Sequence, residues 1–141
     1  MVREITKENT ELIEELENTF NNTFQKDDVK NRFSTNIFTK VFIYLKGKYI
    51  IGYIICDEIY NRMEIINIEV LNDYRNKHIA SILLEKAIEK AVKKDIKSIT
   101  LEVRASNDIA IHLYEKHGFI KKAIREKYYN GENGILMEKK W

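Results

Sequence analysis

An α/β fold with a mixed central β-sheet of about six to seven strands, and helices on both faces, is predicted by three observations. Three strand-like runs, "VFIYL", "YIIGYIICDEI" and "MEIINIEVL", follow one another with only short polar breaks, which reads as an antiparallel meander. A long amphipathic stretch then leads into another strand, "SITLEVR". Strand, helix, strand implies a crossover between parallel neighbours. Last, two alternating runs flank "NGENG" near the end of the chain, the pattern of a closing hairpin.

Each element has a local cause. "TKENT" supplies N-cap candidates, and Leu12, Ile13, Leu16 and Phe20 then fall on one helical face. "DDVKNRF" predicts a second short helix. Lys46-Gly47-Lys48 and Asn61-Arg62 break the meander as turns. In "HIASILLEKAIEKAVKK", Ile79, Ile82, Leu83, Ala87, Ile88, Ala91 and Val92 form an apolar stripe. Glu85, Lys86, Glu89 and Lys90 cover the opposite side. Ser98 to Arg104 is the next strand. Asn107 or Ser106 caps the helix in "NDIAIHLYEKHGF", and Asp108 suits its positive end. Ala110, Leu113 and Tyr114 share a face of that helix, which predicts a half-buried phenol. Gly118 predicts a left-handed C-cap with Phe119 packing back behind it.

Composition narrows the function. The 141 residues suit one domain, 1–141, with a core of its own. Lys and Arg number 24 against 22 Asp and Glu, a net charge of +2, too slight to argue for nucleic acid. One cysteine, Cys56, excludes an internal disulfide, and its apolar surroundings predict a buried structural thiol. No apolar run has membrane-spanning length, and the first residues lack a signal-peptide core. No membrane partner and a cytoplasmic location are therefore expected. His112 and His117 suit a solvated or dipole-compatible role at the second long helix, and no cluster has metal-ligand spacing, so no metal is expected.

In a sheet of this kind ligands bind beyond the C-terminal strand ends. Ile68-Glu69-Val70, the loop from Tyr74 to Ser81, Glu102, and the helix carrying Asn107 and Tyr114 converge there. By residue chemistry alone the loop is either an anion cradle at a helix start or a solvated turn. Glu102 alternates with Leu101 and Val103, so it faces away from their apolar side. It is either a proton acceptor or a strand glutamate paired with Arg104 or a lysine. Tyr114 is either a proton donor or an amphipathic core tyrosine.

The runs "IEVLNDYRNKHIASILLEKA" and "LEVRASNDIAIHLYEKHGF" resemble the GNAT acetyltransferase superfamily. More narrowly, "TLEVRASN", "AIHLYEKHGF" and "IREKYYNGENGILM" are similar to RimI-type protein N-terminal acetyltransferases, whose bacterial members acetylate the N-terminal alanine of a small-subunit ribosomal protein. The resemblance covers nearly the whole chain and is strongest from about Ile65 to Met137. It implies a GNAT-like domain, acetyl-CoA as acetyl donor, and a protein or peptide N-terminus, a ribosomal protein among the candidates, as partner. The coenzyme-A signature Gln/Arg-x-x-Gly-x-Gly/Ala reads here Arg75-Asn76-Lys77-His78-Ile79-Ala80, with His78 in place of the first glycine. By resemblance, Asn76, Lys77, His78, Ile79, Ala80 and Ser81 hold the pyrophosphate. Ile68, Glu69 and Val70 form a splayed strand edge for the pantetheine, and Asn107 adds a contact. Glu102 becomes the proton acceptor and Tyr114 the donor to sulfur, two groups that must meet in one cleft.

Tyr128 and Tyr129 match a pair that clamps the incoming peptide, one lining the slot and the other packing on the opposite face. A cross-strand aromatic pair is the plain alternative. Glu132-Asn133-Gly134 stands where the RimI pattern has Glu-Asp-Ala, a departure that bears on peptide specificity. Two other functions remain open at this point. One is the same chemistry on a lysine, a polyamine or another small amine. The other is a non-catalytic acyl-CoA-binding module.

Overall fold

The computed structural model describes residues 1–75 and 77–141. Seven strands form one mixed sheet: β1 (Val2–Ile5), β2 (Thr39–Lys46), β3 (Tyr49–Ile59), β4 (Arg62–Val70), β5 (Ser98–Arg104), β6 (Ile120–Tyr129) and β7 (Glu132–Lys140). Their spatial order is β1-β2-β3-β4-β5-β7-β6. Four helices accompany them: α1 (Thr10–Thr19), α2 (Asp28–Thr35), α3 (Ile79–Lys93) and α4 (Asp108–Lys116). All strand pairs are antiparallel except β4 with β5. That pair is joined through α3, as the strand–helix–strand pattern requires.

The helices divide between the two faces. Leu83, Leu84, Ala87 and Ala91 of α3 and Ile111 and Tyr114 of α4 pack with Ile54, Met63, Ile99, Leu101 and Val103. Ile13 and Leu16 of α1 and Val29 of α2 pack with Val41, Ile43, Tyr53 and Ile55. The expected stripe of α3 holds at Ile79, Leu83, Ala87 and Ala91, but Ile82 and Val92 are exposed and Leu84 is buried in their stead.

Polar side chains fix the second face. The buried carboxylate of Glu17 on α1 accepts from the backbone N–H groups of Asp27, Val29 and Lys30, at 3.1, 2.8 and 3.1 Å. It thereby caps α2 from outside, a helix whose own N-cap residue, Asp27, makes no side-chain cap bond. Asp57 on β3 accepts from Thr39 Oγ1 at 2.8 Å and from Arg32 of α2 at 2.6 Å, which ties α2 to the sheet.

Two features differ from the sequence reading. β1 is an additional edge strand, pairing Val2 through Ile5 with Tyr44 through Val41. It has only four residues, and Ile5 alone is buried, so no alternation stands out. The final hairpin turns on two residues, Asn130 and Gly131, at φ 41° and 91°. This suits a tight primed turn. Asn133 and Gly134 belong to β7 instead of the loop.

Candidate active site

β4 and β5 pair over only four positions, from Arg62–Ser98 to Ile65–Leu101. β4 continues to Val70 and β5 to Arg104 with no rungs between them. A V-shaped gap therefore opens at the C-terminal end of the parallel pair, and Glu102 is the first residue of β5 beyond the last rung. This opening is where an α/β sheet places its ligands.

One lip of the gap is the end of β4. Leu71 N–H bonds to Ile51 of β3, so the backbone of Ile68 and Val70 faces the other way, into the gap. This edge is partly occupied. Ile68 N–H donates to Asn67 Oδ1 at 3.0 Å, and Val70 carbonyl accepts from Arg75 Nε at 3.1 Å. The side chain of Glu69 points to the α1–α2 face. It accepts from Tyr53 Oη at 2.7 Å and from Thr23 Oγ1 at 2.9 Å. Tyr53 Oη in turn accepts from Asn67 Nδ2 at 2.8 Å. Burial and the Glu69 carboxylate hold the Tyr53 phenol far above its ordinary range, so Tyr53 is a fixed donor and not a proton carrier.

Above that lip lies the start of α3. His78 is its N-cap residue, left-handed at φ 61° and ψ 15°, with no side-chain cap bond. A glycine-type backbone is thus kept without glycine, at a cost of roughly 1–2 kcal/mol, and histidine is among the residues that tolerate it best. Among the described residues no side chain caps the first-turn amides of α3. Lys77 and His78 are exposed, Ile79 is buried and Ala80 is half-buried. The Lys77 ammonium stands 5.8 Å from the Tyr74 ring centre. Asn76 lies outside the described residues. Ser81 Oγ is 3.2 Å from His117 Nε2, so its hydroxyl already has a partner. Of the two roles expected for His117, the solvated one does not hold, while its place at the C-cap of α4 suits the other. The ring is half-buried between α4 and α3, and burial pulls its pKa below the ordinary value.

Asn107 caps α4, its Oδ1 accepting from Ala110 N–H at 3.2 Å. α4 ends at Gly118, φ 90°, with Phe119 N–H bonded to Tyr114 carbonyl at 3.0 Å. Tyr114 is more buried than its position predicted, at 6% exposure. Burial pushes its phenol up to about 12, with smaller contributions from Tyr129 and Cys56. Burial likewise pushes the Cys56 thiol well up, which fits an inert core residue.

Glu102 and Tyr114 do not share a face. Leu101 and Val103 point at α3 and α4 with Tyr114, so Glu102 points at the opposite side. The expectation that both lie in one cleft is therefore not met on a single face of the sheet: the gap between β4 and β5 opens beside Glu102, and Tyr129 stands near both groups. Its phenol is raised by burial and then by the charge of Glu102, and it contributes in turn to the shift of Tyr114.

The carboxylate has close company that the sequence did not reveal. Arg125 Nε on β6 contacts Glu102 Oε1 at 2.7 Å, across the intervening β7. Gly134 makes this reach feasible. A Cβ there would lie 3.1 Å from Glu102 Oε2, 3.1 Å from a Tyr129 ring carbon and 3.2 Å from a Tyr128 ring carbon. Both tyrosine rings therefore sit over Gly134 on one face, 4.8 Å apart and edge to face. The expected split of the pair across two faces is corrected. The register slips between Arg125 and Tyr129 and Lys127 turns left-handed at φ 54°, so a bulge rotates Tyr128 to the side of Tyr129. Arg104 stacks on Tyr129 at 4.6 Å and Arg125 on Tyr128 at 5.2 Å. Residues 102, 125 and 134 come together only through the strand order, and no local spacing signals it.

Among the described residues no group of three or more His, Cys, Asp or Glu is placed to hold a metal ion. No helix among them is long and apolar enough to cross a membrane.

The profile of the acetyltransferase (GNAT) family matches residues 6–119. The chain belongs to the GNAT acetyltransferase family. A relative from Bacillus subtilis is 30% identical over 139 residues, covering 96% of this chain and 92% of its own. The ribosomal protein bS18-alanine N-acetyltransferase of Haemophilus influenzae is 36% identical over 98 residues, 66% of each chain. Among solved structures, the ribosomal-protein-S18-alanine N-acetyltransferase of Escherichia coli superposes with a TM-score of 0.75 at 27% identity, covering 99% of this chain and 94% of that one. The GNAT-like sheet expected from the sequence is thus the observed one, and the chain is an N-acetyltransferase.

Proposed function

We propose that this acetyltransferase, with residues 1–141 acting as one domain in the cytoplasm, moves the acetyl group of acetyl-CoA to the N-terminal amine of a protein. An alanine-initiated ribosomal protein is the favoured acceptor. The observation that carries the proposal is the gap between β4 and β5, with Glu102 at its mouth and two tyrosine rings packed edge to face beside Glu102. The names of the Haemophilus and Escherichia relatives supply the acceptor class.

The donor enters along the free side of β4. In this reading the amides from His78 to Ser81 take the diphosphate, with Lys77 adjacent, and Asn107 adds a contact beyond its capping role. The edge at Ile68 and Val70 aligns the pantetheine, which requires Asn67 to release the Ile68 amide and Arg75 the Val70 carbonyl; Glu69, expected there too, is instead turned to β3 and the α1–α2 face. The acceptor arrives on the α1–α2 side, past Tyr128 and Tyr129. Its ammonium, with a reference pKa of roughly 8, gives a proton to Glu102. The freed nitrogen attacks the thioester carbon, the carbon–sulfur bond breaks, and the thiolate leaves towards Tyr114.

The environment of Tyr114 refines its role. Burial pushes the Tyr114 phenol up to about 12, above the thiol reference of about 8.5, so the phenol holds its proton more firmly than a thiol does. Tyr114 therefore serves as a hydrogen-bond donor to the developing thiolate, and solvent completes the protonation after release. A polyamine acceptor has less support. Arg125 pairs with Glu102 and Arg104 stacks on Tyr129, and these two positive charges beside the proposed entry disfavour a polycation.

Incubation with acetyl-CoA and a peptide library, followed by mass spectrometry, tests the proposal. Acetylation of α-amines on alanine-initiated peptides is expected. Acetyl groups on lysine side chains or polyamines alone would replace the acceptor, and cofactor binding without any transfer would leave a binding module.

A further inference from the structure

We infer that Arg125 is a positioning residue for Glu102: it pins one carboxylate oxygen so that the other, buried beside Gly134, keeps its lone pairs unpartnered for the acceptor's proton. The inference rests on Glu102 being the base. A carboxylate offers two oxygens with about four lone-pair sites. Here Oε1 meets Arg125 Nε at 2.7 Å, within the range of a charge-assisted hydrogen bond. Oε2 is buried and has no hydrogen-bond partner among the described residues. An arginine serving only as a structural ion pair would gain by gripping both oxygens, since its planar fork matches a carboxylate. This one engages one oxygen and leaves the other next to Gly134.

Arg125 is itself held in place. It lies opposite Gly134 in the β6–β7 ladder, and its guanidinium rests on the Tyr128 ring at 5.2 Å. The bulge that turns Tyr128 over Gly134 thus also supplies the shelf for the arginine. In the proton step the acceptor's N–H bond breaks and an O–H bond forms at Oε2, while the contact at Oε1 persists. Arg125 touches neither acetyl group nor thioester in this scheme. It acts through Glu102 alone.

The test uses Arg125→Met, Glu102→Gln and the double variant, with acetyl-CoA and an alanine-initiated hexapeptide. Arg125→Met is expected to lower kcat about ten- to hundredfold, the scale seen when an orienting partner is lost, with the acetyl-CoA KM unchanged. The double variant should be no slower than Glu102→Gln, and guanidinium ion should restore part of the rate to Arg125→Ala. A crystal structure of Arg125→Met should show the Glu102 carboxylate displaced from beside Gly134. If Glu102→Gln keeps full rate, the base assignment falls and this inference with it. If Glu102→Gln is slow but Arg125→Met is not, if the losses multiply, or if the carboxylate stays in place, the inference alone is overturned.

Discussion

At the start of α3 the proposed diphosphate contacts are backbone groups of consecutive residues, so on that reading their side chains need only stay clear of the ligand. His78 shows how loosely side chains are constrained there: a large ring occupies a glycine position because the left-handed backbone is kept. The corner over Gly134 works in the opposite way. Glu102, Arg125, Tyr128 and Tyr129 come from β5 and β6, meet across β7, and depend on the absence of a single Cβ. The difference predicts that substitutions are felt more at the corner, where side chains from two strands share the space over Gly134, than in the loop.

Variants on either side put this contrast to the test. Glu102→Gln should have the largest effect, a loss of about a hundred- to a thousandfold in kcat as expected for a general base, with acetyl-CoA still raising the melting temperature. Steady-state rates together with thermal shifts check both halves. Tyr114→Phe should slow kcat by about tenfold, the scale of a lost hydrogen bond to developing charge, while the acetyl-CoA KM holds. Gly134→Ala restores the side chain typical of the RimI pattern and should raise the peptide KM severalfold, because its Cβ would sit 3.1 Å from Glu102 Oε2. An unchanged peptide KM would show that the corner adjusts as freely as the loop. His78→Gly should alter stability by less than about 1 kcal/mol, the relief of left-handed strain being offset by the entropy of glycine. Denaturant titration measures it.

The smallest effect is expected from acid. Burial depresses the His117 pKa in the fold, so below the ordinary value of about 6.5 the unfolded chain binds a proton that the folded chain resists. Stability should decline as pH falls through that value and be flat above it. The decline should vanish in His117→Gln, as melting curves between pH 7.5 and 5 will show.

Much of the backbone was legible because it depends on local pattern. The α3 stripe, the Asn107 cap and the Gly118 stop each follow from residues within a few positions of one another. So did the candidate loop, which is a contiguous motif. Glu102 and Tyr114 could be singled out by chemistry and resemblance, but not the fact that they approach from opposite faces. That follows from where the parallel pairing stops, a property of two strands more than thirty residues apart. Arg125 was invisible for a similar reason. A basic residue on an exposed strand reads as solvated until the strand order β5-β7-β6 and a bare Gly134 place Glu102 within its reach. β1 escaped because four residues with one buried side chain give too short a period to recognise.

Four rungs between β4 and β5 are the whole lateral seam joining strands β1–β4 to strands β5–β7. Mechanically the sheet is two plates riveted along one short edge. An extended molecule that lay in the notch and bonded to Ile68 and Val70, once Asn67 and Arg75 let go, would act as a provisional extra strand. On the proposed reading, occupancy and stiffness would then rise together.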